Sequence, residues 1–69
     1  MDIIFYDIQE VKDDYIYAQH NCLVKPNEGD CIILKNKLYK VISVTIAYEK
    51  NTIHVFVEKQ KNNKFISIK

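Results

Sequence analysis

Eleven Ile and six Val stand against two Ala and three Leu in this chain of 69 residues, and that imbalance constrains the fold more than any other feature. A β-branched side chain loses rotamers against the preceding turn of a helix but packs well on a pleated surface. Five Tyr and three Phe push the same way. The alternation is cleanest at 52–58, where Ile53, Val55 and Val57 interleave with His54, Phe56 and Glu58. The expectation is an all-β protein: a small antiparallel barrel or sandwich of five to six strands, built from sequential hairpins over a single domain, residues 1–69.

Six strands are predicted. The first covers 2–10, with Ile4, Tyr6 and Ile8 assigned to the core face and Phe5 to the other; a helix over 7–14 is the alternative there, since Ile8 and Val11 are three apart. A second covers 15–25, with Ile16, Ala18, Cys22 and Val24 on one face. A third covers 31–34 and a fourth 38–48, separated by a turn at Lys35-Asn36-Lys37. In the fourth, Tyr39 and Val41 are out of phase with Ile42, Val44, Ile46 and Tyr48, so a bulge or bend is predicted between Val41 and Ile42. A fifth strand covers 52–58, with Ile53, Val55 and Val57 inward, and a sixth covers 65–68.

The clearest turn is Pro26-Asn27-Glu28-Gly29-Asp30, where the only Pro presets φ and the only Gly supplies positive φ; it is expected to close a hairpin or open a bulge. This turn with Cys31-Ile32-Ile33-Leu34, followed by Leu38-Tyr39-Lys40-Val41-Ile42-Ser43-Val44, resembles the turn-strand-turn-strand of small SH3-like barrels. Short accessory proteins of phages from low-GC bacteria are similar, and Ile, Lys, Asn and Tyr, the products of A/T-rich codons, fill 32 of the 69 positions. The resemblance spans about residues 25–58 and implies a fold. It implies no single function, because such barrels bind peptides, nucleic acids and proteins alike.

Composition narrows the chemistry. Apolar runs reach four residues at most, too short for a membrane span or a signal-peptide core, so a cytoplasmic location and reduced cysteines are expected. His20, Cys22, Cys31 and His54 have the donor types of a zinc site but lack its close ligand pairs, and no metal or cofactor is assigned. One Gly excludes a glycine-rich phosphate loop. Two Ser, two His and acids confined mostly to turns give no nucleophile-base pair, so no enzyme is expected.

What remains is surface. Alternation leaves Tyr15, Tyr17, Tyr39 and Phe56 off the assigned core face, and Tyr and Phe are enriched where proteins meet. The expected function is a non-enzymatic protein-binding module that inhibits or redirects a bacterial host protein, with these four as anchors and a homodimer expected. The alternative is a single-stranded nucleic-acid binder using Tyr15, Tyr17, Phe56, Lys59, Lys61 and Lys64. All ten basic residues are Lys and the net charge is only +1, which disfavours specific base reading and general phosphate attraction. A third expectation is a self-assembling virion-type subunit.

Overall fold

The computed structural model describes residues 1–9, 15–21 and 23–60. Their regular structure is all strand: β1 (Asp2–Asp7), β2 (Tyr17–Gln19), β3 (Cys31–Leu34), β4 (Lys37–Ala47) and β5 (Thr52–Lys59). The strands form one sheet in the order β2-β1-β5-β4-β3, curled until it nearly closes as a small barrel.

The sheet is mixed rather than antiparallel. β1 and β5 run parallel, with Ile4 level with His54 and Tyr6 with Phe56, while the other three pairings are antiparallel. Antiparallel pairing of strands consecutive in sequence therefore accounts for β1-β2, β3-β4 and β4-β5, and the parallel β1-β5 pairing is the departure. The β3-β4 turn is a two-residue loop in which Lys35 and Asn36 take φ of 51° and 65°, both positive, as the twist of a tight hairpin requires. Four residues join β4 to β5, and the last of them, Asn51, has φ 58°.

The turn at 26–30 does not close a hairpin, because β2 and β3 are not paired. It leads into β3 instead. The Asp30 N–H donates to the Asn27 carbonyl, and the Asp30 carboxylate accepts from the Asn27 N–H. Gly29, at φ 95°, turns its N–H onto the Val41 carbonyl at 2.9 Å, and the Val41 N–H returns to the Asp30 carbonyl at 2.8 Å. This exchange ties the turn to β4 at the place where the ladder with β5 slips between Val41 and Ser43. The predicted bulge is therefore present, and it carries β4 from the Tyr39-Val41 phase into the Val44-Ile46 phase.

One core cluster joins Ile3 and Phe5 of β1, Leu34 of β3, Tyr39 and Val41 of β4 and Ile53, Val55 and Val57 of β5. The β5 face is as read from alternation. The β1 face is the reverse: Ile3 and Phe5 are buried, whereas Ile8 is exposed and Ile4 and Tyr6 are half-buried. Ile3-Ile4-Phe5-Tyr6 is apolar on both faces, so its phase is set by pairing with β2 and β5 and not by its own pattern. The second strand is also shorter than expected, Tyr17–Gln19 in place of 15–25. Residues 10–14 of the alternative helix, Cys22 and the predicted strand at 65–68 lie outside the described residues.

Candidate interface on the outer face

Because β1 and β5 are parallel and in register, their outward side chains form adjoining rows: Ile4 and Tyr6 beside Thr52, His54 and Phe56. β2 adds Ala18, level with Ile4, and β4 adds Ser43 and Thr45, level with Phe56 and His54. The Tyr6 ring stacks on both of its β5 neighbours, 5.2 Å from Phe56 at an interplanar angle of 19° and 5.7 Å from His54 at 27°. Offset aromatic pairs at such spacing contribute about 0.5–1.5 kcal/mol each beyond the area they bury.

Hydrogen bonds hold the cluster in place. The Tyr6 hydroxyl lies 3.1 Å from His54 Nδ1, and Thr52 Oγ1 lies 3.2 Å from Nε2. A hydroxyl can donate or accept, so either imidazole tautomer is satisfied here. The middle of this face carries no charged group; its charges stand at the ends, Asp2 at one and Glu58, level with Lys40, at the other. At the Asp2 end, His20 Nδ1 is 3.1 Å from the carboxylate and the Asn21 N–H donates to it at 3.2 Å. The hydrogen bond from His20, then that from Asn21, hold the Asp2 carboxyl below its ordinary value.

The four expected anchors are scattered. Tyr39 is 5 % exposed and belongs to the core, since β4 turns it inward before the bulge reverses the strand's phase. Tyr17 lies on the core side of β2, its ring 6.1 Å from Phe5, and Tyr15 is exposed just before that strand. Phe56 alone is on the outer face. The alternative nucleic-acid set is no closer together: Lys59 is three residues from Phe56 and so on the opposite face, and Lys61 and Lys64 lie outside the described residues. Tyr6 and His54 complete the cluster instead. Each shares a face with Ile4 or Phe56 at a spacing of two, but only the parallel pairing of two strands about 50 residues apart brings the rows together.

Among the described residues no three His, Cys, Asp or Glu side chains converge as metal ligands. Cys31 is exposed on β3, His20 stands at the Asp2 end and His54 is held by two hydroxyls. No described helix is long and apolar enough to cross a membrane. No protein-family profile, curated protein or solved structure matches the chain.

Proposed function

We propose that this chain is a non-enzymatic protein-binding module whose contact surface is the outer face of β1 and β5, centred on Ile4, Tyr6, His54 and Phe56. One observation carries the reading: an aromatic cluster without central charge occupies the solvent side of a sheet, where lone polar residues are the usual finding. Interface centres are enriched in aromatic residues and depleted in charge. Its rings are already ordered by stacking and hydrogen bonds, which lowers the entropy lost on binding. Charge speaks against nucleic acid, because Asp2 and Glu58 flank the cluster and the net charge is only +1.

The partner class we favour is a host protein of a low-GC bacterium, bound and inhibited or redirected by a cytoplasmic phage or mobile-element accessory protein. The A/T-rich residue usage and the likeness of residues 25–58 to small SH3-like barrels support it. In an affinity capture, wild type is expected to retain a near-stoichiometric partner that Ile4→Lys with Phe56→Ser loses and that Tyr48→Ser, altered at an exposed ring outside this face, keeps. Equal retention by all three overturns the reading. Salt-sensitive oligonucleotide binding lost in the same double variant replaces it with the nucleic-acid alternative. Sedimentation at tens of micromolar tests the expected homodimer: a dimer lost in the double variant assigns the face to a second copy.

A further inference from the structure

Histidine is the side chain whose charge ordinarily changes between about pH 5 and 8, and one stands in the middle of the outer face. His54 is half-buried on β5, level with Ile4 of β1 and Thr45 of β4, neither of which is charged. The Tyr6 ring stacks on it with centroids 5.7 Å apart. The Tyr6 hydroxyl is 3.1 Å from Nδ1 and Thr52 Oγ1 is 3.2 Å from Nε2. Both ring nitrogens therefore meet a hydroxyl, and neither meets a carboxylate.

Hydroxyl partners serve both charge states of the ring. In the neutral imidazole one nitrogen donates and the other accepts, and each hydroxyl turns its proton to suit. In the imidazolium both nitrogens donate and both hydroxyls accept, so neither bond is lost, and the face of Tyr6 attracts the cation. Protonation thus leaves the cluster in place and sets a positive charge at its centre. The other titratable groups on this face are not placed to cancel that charge. On β1, the Asp2 carboxylate is taken by His20 and the Asn21 N–H, and Tyr6 offers only its hydroxyl. On β5, Glu58 is four residues beyond His54, about 13 Å along the strand, and Lys40 of β4 is level with it. β2 presents Ala18 level with Ile4, and His20 beyond it lies on Asp2.

Taking this face as the contact surface, on which the inference rests, we propose that His54 is a pH-sensitive switch within it. The neutral ring admits the protein partner, and the imidazolium excludes it without disturbing the fold. A partner seated on the face would bury the new charge with no opposite charge to pair it, and an unpaired buried charge is strongly unfavourable. The sign follows from which state binds. Affinity is full above the imidazole range and falls as pH drops through it, by up to about tenfold per pH unit once the ring is protonated. By reciprocity, partner binding weakens proton binding at His54 by the same factor.

The probe is the protein that wild type retains in affinity capture near neutral pH, purified and titrated against the full chain at about pH 7.5 and about pH 5.5, either side of the imidazole range. Wild type and His20→Gln are expected to lose about tenfold in affinity between the two, and His54→Gln, neutral at both, less than about twofold. An equal loss in His54→Gln, or no loss in wild type, overturns the switch. If His54→Gln binds too weakly to measure, the imidazole proton signals of wild type decide. The His54 titration midpoint is expected to be lower in the complex than in the free chain by about one pH unit, and an unchanged midpoint overturns the proposal. Nuclear Overhauser effects between Tyr6 and His54 in the free chain are expected to persist at both pH values, and their loss in acid overturns it as well. A partner that Ile4→Lys with Phe56→Ser keeps removes the interface reading and the switch together. A partner that this double variant loses, but that wild type and His54→Gln release equally in acid, removes the switch alone.

Discussion

Ile3 and Ile4 are chemically identical neighbours with opposite fates. Ile3 is 1 % exposed among the β5 valines, whereas Ile4 is half-buried on the outer face. Ile3→Ala removes buried methyl groups and leaves a cavity, so it is expected to cost about 2–5 kcal/mol in denaturant unfolding, against less than about 1 kcal/mol for Ile4→Ala. Equal costs would mean that the two faces of β1 are assigned wrongly. Asp2 makes a pH prediction with a definite sign. Its carboxyl is held below the ordinary value in the folded chain, first by His20 and then by the Asn21 N–H. Its contribution to stability is therefore present above the unfolded carboxyl value and fades as pH falls through the folded one. Asp2→Asn is expected to flatten the acid side of the stability profile in that window, below about pH 4.

Among the elements, turns and the bulge were the most legible in the sequence. The Gly29-Asp30 pair, the Lys35-Asn36 turn and the phase change after Val41 each leave a local mark: a residue suited to positive φ, or a break in alternation. Pairing leaves no such mark. The parallel β1-β5 ladder joins residues 2–7 to residues 52–57, and nothing local in either stretch names the other. That is why alternation marks Phe56 as an outward aromatic but does not join it to Tyr6 and His54, and why the doubly apolar β1 carries no mark of its own phase. The turns supply two predictions. Gly29→Ala meets nothing within 4 Å, so its cost comes from the backbone at φ +95° and is expected to be about 1–2 kcal/mol. Asn36→Gly suits the same hairpin at φ 65° and is expected to change stability by less than about 1 kcal/mol in either direction, with strand register unchanged by NMR.

At the scale of the whole molecule, a chain this small has little apolar area with which to offset the entropy of folding, and its aromatic residues serve two purposes. Tyr39 and Phe5 complete the core. Tyr6, Phe56 and His54 stack on the outer side of β1 and β5, at a centre that holds no Asp, Glu, Lys or Arg. Hydrogen–deuterium exchange of the chain bound to its captured partner tests that division most directly. Bound minus free, new protection is expected at residues 4–6 and 52–56, with the 48–51 turn unchanged. Protection confined to the β3-β4 hairpin or the 23–30 segment, with residues 4–6 and 52–56 unaffected, would contradict it.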